Sequence, residues 1–127
     1  MADQPAPDET APALLVIEVA GERLALPADA LREVARWRDP TPVPGAPPPI
    51  AGVISQRGAV LPVLDLRLAR GRPATPPDRA TRLVVVRHAA IDLALLVDAV
   101  HDLLPASAAA PPLVDLGALI AAAQSHS

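Results

Sequence analysis

Apolar and polar positions change period several times along this chain, and each change marks an element. Ala13 to Val19 (ALLVIEV) is almost continuously apolar, the pattern of a strand buried on most of its length. Ala20-Gly21-Glu22 supplies a turn, and Arg23 to Pro27 (RLALP) alternates as the returning strand. Ala28 to Arg36 then switches period. Leu31, Val34 and Ala35 fall at i, i+3 and i+4, which predicts a short helix. Asp29 near its start and Arg36 at its end suit the helix dipole, and Glu33 falls off the apolar face toward water. From Trp37 to Pro49 the chain is too rich in proline for helix or central strand, and polyproline II is its natural conformation.

The stretch Pro44 to Arg67, PGAPPPIAGVISQRGAVLPVLDLR, organises the rest. Two β-rich runs flank Ser55-Gln56-Arg57-Gly58, which reads as a hairpin. Gly58 fits a turn position with positive φ, where a Cβ costs energy, and Arg57 is expected at the exposed tip. Pro62 cannot donate to a ladder, so the second strand is expected at an edge or with a bulge. A linker follows from Leu68 to Ala80. Thr81 to His88 (TRLVVVRH) and Leu93 to Val100 (LALLVDAV) are two further strands around a turn at Ala89 to Asp92. Leu104 to Pro112 is a low-complexity connector, Leu113 to Leu116 a short strand at most, and Gly117 to Gln124 an Ala-rich helix. These elements predict a mainly β protein built as small barrels with helical decoration.

Composition narrows the function. The 127 residues suit one domain over 13–124, behind a disordered, acidic, Pro-rich leader over 1–12. All eleven basic residues are Arg, there is one Trp and no Phe or Tyr, and the net charge is −3. That balance offers neither stacking platforms nor a basic footprint for nucleic acid. Absent cysteine removes disulfides, thiolate metal sites and a Cys nucleophile. No apolar run approaches the roughly 18 residues of a membrane span, and the N-terminus lacks the build of a secretory signal. A cytoplasmic protein without direct membrane insertion is expected.

The catalytic inventory is thin. No GxSxG, GxxxxGK[ST], GxGxxG or HExxH motif occurs. Ser55 has no base nearby in sequence and reads as a structural hairpin serine. His88 and His101 lie at strand ends and could form a metal site only with Asp92, Asp98 or Asp102, which ordinary surface histidines outweigh. His126 has no assigned role. Asp65 and Asp98 each close an apolar strand, and turn capping outweighs paired acid–base carboxylates. Pro44-Gly45-Ala46-Pro47 matches a PxxP ligand, although a stiff structural loop is the better reading. No cofactor is expected.

The run from Pro44 to Arg67, with GVI, RG, LPV and DLR at fixed spacing, resembles the signature of the CheW-like domain family. That family includes a chemotaxis coupling protein and the regulatory domain of the kinase CheA. Leu15 to Pro27 resembles its first hairpin, Leu31-Arg32-Glu33-Val34 its short V-x-E-V helix, and Arg82 to Val100, with Val97-Asp98, its VDxV hairpin. The resemblance implies two small SH3-like barrels sharing a core, the first over about 13–67 and the second over about 81–124. It implies a non-enzymatic adaptor that couples the cytoplasmic tip of a chemoreceptor (a methyl-accepting chemotaxis protein) to the regulatory domain of a CheA-type histidine kinase. Carried over by motif position, the receptor-facing residues are Leu31, Glu33, Val34, Gly52, Arg57 and Gly58. The kinase-facing ones are Leu93, Leu95, Val97 and Asp98.

One departure stands out. About one hairpin is missing before Leu113 to Ile120, so the second barrel should be incomplete, with an open sheet edge. The alternatives are a degenerate module that binds one partner or self-associates through that edge, and a small metal-dependent barrel enzyme using His88, His101 and Asp98.

Overall fold

The computed structural model describes residues 12–105 and 108–124. The expected leader falls almost wholly outside the described residues, as do His126 and part of the connector after Leu104. The described residues form eight strands and two helices: β1 (Pro12–Val19), β2 (Glu22–Pro27), β3 (Leu31–Arg36), β4 (Ile50–Gln56), β5 (Ala59–Asp65), α1 (Leu66–Ala69), β6 (Arg82–His88), β7 (Ile91–Val97), β8 (Ala99–Pro105) and α2 (Leu116–Gln124), with a 3-10 turn over Ala28–Ala30.

The strands make a three-stranded sheet, β2-β1-β8, and a five-stranded sheet, β3-β6-β7-β5-β4. Strand β5 pairs parallel with β7; the other pairings are antiparallel. The five-stranded sheet curls until its edges meet. The chain leaving β3 reaches β4 at a bridge between Thr41 and Val53, with Thr41 N–H donating to Val53 O at 2.8 Å and Val53 N–H to Thr41 O at 2.9 Å. The three-stranded sheet is the smaller of the two. Its β2 edge is partly covered where Ala25 exchanges backbone hydrogen bonds with Pro112 and Val114.

Two cores follow from strand alternation. Leu15, Ile17, Leu24 and Leu26 of the small sheet meet Leu64, Val84, Val86, Leu93, Leu95 and Val97 of the large one, with Ile120 of α2 closing the end. The opposite faces of β5, β6 and β7 bury Leu61, Val63, Leu83, Val85, Ala94 and Leu96 inside the curled sheet. Strands β6 and β7 are thus covered on both faces, which is why their sequences are unbroken apolar runs.

Several expectations are corrected. The helix read over Ala28 to Arg36 exists only as the three-residue turn; Leu31 to Arg36 is strand β3. A helix of nine residues is marginal alone, and pairing with β6, from Leu31↔Val86 to Arg36↔Arg82, satisfies this backbone instead. Leu93 to Val100 is not one strand. The chain breaks at Asp98 and enters β8, which crosses to the other sheet and runs into the supposed connector. Strand pairing therefore does not follow the expected split into 13–67 and 81–124: β1 and β2 join β8, while β3, β4 and β5 join β6 and β7. Strand β5 is interior rather than an edge. Pairing with β7 begins at Val63, one residue beyond Pro62. The proline loop is folded into turns, with Ala46 N–H donating to Val43 O and Ile50 N–H to Pro47 O, rather than a continuous polyproline helix.

Candidate protein-docking site

The β4–β5 hairpin closes in two residues, with Gln56 opposite Ala59. Arg57 (φ 50°) and Gly58 (φ 81°) both take left-handed conformations, as the right-handed strand twist requires of so short a turn. Gly58 was expected to do so; Arg57 also bears a left-handed residue's cost. The Arg57 side chain is 79% exposed, yet its Nε donates to Glu33 Oε1 at 2.8 Å. Glu33 stands half-buried on β3, so a neighbouring strand holds the tip's guanidinium. From the β3–β4 connection, Arg38 Nη2 donates to Ser55 O at 2.6 Å and to Gln56 Oε1, fixing the hairpin from a second side. Sequence reading missed Arg38, since no local pattern signals a contact spanning 17 residues.

The Arg57 hydrogen bond, with a smaller contribution from Gln56, holds the Glu33 carboxyl below its ordinary value of 4.5. The charged pair is therefore fully present above that value and is lost as pH falls through the depressed one. A carboxyl-carbon NMR titration should give Glu33 a midpoint below 4.5, and Arg57→Ala should move it back upward. A wild-type midpoint at or above 4.5 would contradict the pairing.

Around this tip the structure gathers only part of the expected receptor-facing set. Glu33, Arg57 and Gly58 come together, and Val34 is 40% exposed on the same strand as Glu33. Leu31 packs partly against the inter-sheet core. Gly52 is buried and offers no surface: at φ +147° an added Cβ would stand 2.3 Å from Thr41 O. Val60, which was not singled out, is 69% exposed just beyond the tip.

The expected kinase-facing set fares differently. Leu93, Leu95 and Val97 are at most 2% exposed in the inter-sheet core, so their side chains cannot touch a partner. Strand alternation put them on the covered face of a sheet buried on both sides. Asp98 is partly exposed but engaged. Its Oδ2 accepts from Ala20 N–H at 2.7 Å and its Oδ1 from Arg67 Nη1 at 3.1 Å. Arg67 is itself buried. It donates from Nε to Asp65 Oδ1 and from Nη2 to Asp65 Oδ2, both at 3.0 Å, and from Nη1 to Thr75 Oγ1 at 2.8 Å. Asp65 caps α1 as well, accepting from Arg67 N–H. Asp65 thus caps locally, as expected, whereas Asp98 accepts from a backbone N–H 78 residues away rather than in its own turn, and together the two carboxylates seat one buried guanidinium that ties β5 to the β1–β2 turn.

Among the described residues, no three His, Cys, Asp or Glu side chains stand close enough to hold a metal ion. His101 Nε2 lies 2.8 Å from Glu18 Oε1, in the small sheet. His88 ends β6 in the large one. A hollow of about 480 Å³ lies between the proline loop, β5 and α2, and residues such as Pro44, Ile50, Pro62 and Ile120 give it apolar walls without a titratable side chain. No helix among the described residues is long and apolar enough to cross a membrane.

A rigid arginine-tipped hairpin on a curled five-stranded sheet, joined through a common core to a smaller sheet, suits contact with another macromolecule. The profile of the CheW-like domain matches residues 13–123. The chain belongs to the CheW-like domain family. It is 32% identical over 96 residues to the chemotaxis protein CheW of Bacillus subtilis (strain 168), an alignment covering 76% of this chain and 62% of that protein. It is 36% identical over 94 residues to the chemotaxis protein CheW of Rhizobium meliloti (strain 1021), covering 74% of this chain and 61% of that one. The crystal structure of the scaffolding protein TtCheW from Thermoanaerobacter tengcongensis superposes with a TM-score of 0.70 at 30% identity, over 74% of this chain and 64% of that one. The chain therefore has the CheW-like fold of two SH3-like barrels, and spans about three fifths of the length of these curated CheW relatives.

Proposed function

We propose that this chain is a non-enzymatic chemosensory adaptor that couples the cytoplasmic tip of a chemoreceptor to the regulatory domain of a CheA-type histidine kinase. The observation that carries the reading is Arg57. It is pushed outward on a two-residue turn and held in place by Glu33 and the Arg38 clamp. A pre-positioned guanidinium loses little freedom on binding and can take a carboxylate bidentately. Its ion pair with Glu33 is exposed, and such pairs add little to stability.

Arg57→Ala should therefore weaken binding of a receptor-tip fragment by roughly 2 kcal/mol, about thirtyfold, with a nearly unchanged melting temperature. Calorimetry checks the first and a thermal melt the second. Unaltered affinity would remove Arg57 from the site.

A second reading rests on the small sheet. Its three strands leave less surface for a second partner, and Leu93, Leu95 and Val97 supply none. Under that reading the chain binds only the receptor and competes with full couplers. Pull-downs with the receptor tip and with the kinase regulatory domain separate the two: a coupler retains both, a competitor one. The β8 edge weighs against strand addition by a second copy. It bulges by one residue opposite Leu15 to Ile17, exposes His101 and Asp102, and ends at Pro105, all features that resist edge pairing.

A further inference from the structure

Where β3 leaves the large sheet, Arg36 stands directly opposite Arg82 of β6 in antiparallel register. Side chains so placed share a face, with Cβ atoms about 5 Å apart, and like charges there repel. Together with Arg79 and Trp37 they line an open pocket of about 370 Å³. Trp37 is held by packing against the core inside the curled sheet. Among the described residues, none of the three arginines has a carboxylate within ion-pair distance; the same is true of Arg23, Arg32 and Arg38, whereas Arg57, Arg67, Arg70, Arg72 and Arg87 each have one. Asp78 also lines the pocket, but it is engaged in its own turn: its Oδ1 accepts from Ala80 N–H at 2.8 Å. Arg82 is fixed by donating from Nη1 to the carbonyls of Arg79 and Thr81. The result is a concentrated positive site beside an indole on a chain whose net charge is −3.

We propose that this pocket docks an acidic peptide segment of a partner protein. Two carboxylates would bridge the opposed guanidiniums, and an adjoining apolar side chain would pack on Trp37. A bound carboxylate would offset the like charge that this register brings to one face of the strand pair. Guanidinium forks match carboxylates in plane. The pocket is small and the rest of the chain is net acidic, which disfavours a long polyanion such as nucleic acid. The site is separate from the Arg57 tip, and its test does not depend on the receptor reading.

Trp37 is the one tryptophan and there is no Tyr or Phe, so intrinsic fluorescence comes from this side chain alone. Titration with hexaglutamate should give a saturable change in Trp37 emission, weakened by raising salt from about 0.05 M to about 0.5 M. Arg36→Ala and Arg79→Ala, both at exposed positions, should each weaken it roughly tenfold. Arg23→Ala, an exposed arginine on the small sheet, should leave it unchanged. No change with hexaglutamate, equal loss in Arg23→Ala, or tighter binding of inorganic phosphate or a DNA oligonucleotide than of hexaglutamate would each overturn the proposal.

Discussion

Arg67→Ala should unfold this protein far more readily than any surface substitution, costing about 3–5 kcal/mol of stability. The guanidinium is only 5% exposed and is the shared partner of Asp65 and Asp98. Hydrogen bonding to Asp65, which outweighs the cost of burial, holds it even more firmly protonated than a free arginine. Its removal strands the Asp65 carboxylate, itself almost fully buried, without its charge partner, and empties a side chain's volume between the sheets. Asp98→Ala should cost less, about 1–3 kcal/mol, because Asp98 is partly exposed and Asp65 still pairs with Arg67. It also frees the Ala20 N–H, so the β1–β2 turn should show the faster amide exchange. Urea denaturation measures both. An Arg67→Ala loss below about 1 kcal/mol would show that the cluster is not a structural clasp.

Gly52→Ala should cost about 3 kcal/mol, the upper range for overpacking. The added Cβ would lie 2.3 Å from Thr41 O and 3.0 Å from Pro40 Cβ, on a backbone with φ +147° that L residues rarely adopt. Relief requires separating Thr41 from Val53, the bridge through which the curled sheet closes. The substitution should lower the melting temperature and weaken receptor-tip binding together, because the hairpin presenting Arg57 loses its anchor. Arg57→Ala should do only the second. Lost binding at an unchanged melting temperature in Gly52→Ala would restore Gly52 to the contact surface.

Charge, motif spacing and the apolar runs of β1, β5, β6 and β7 were legible in the sequence, as was α2. The hairpin around Arg57-Gly58 was legible because glycine at a turn is a local preference. The RG and DLR spacing placed the outward arginine. Local pattern could not assign Leu31 to Arg36. Its i, i+3, i+4 spacing is compatible with a helix, and only the β6 backbone waiting alongside makes it a strand. Nor could it tell that both faces of β7 are buried. Leu93, Leu95 and Val97 looked available until the small sheet was seen to cover them.

By itself, the sequence determined a mainly β chain with a rigid arginine-tipped hairpin and little catalytic equipment, because turn preferences and strand periodicity act between near neighbours. Only the tertiary structure decided that β8 crosses to pair with β1, that Asp98 meets Arg67, and that Arg36 faces Arg82. Those contacts join residues far apart in the chain. They exist only once burying apolar surface between the two sheets has repaid the entropy of closing the intervening loops.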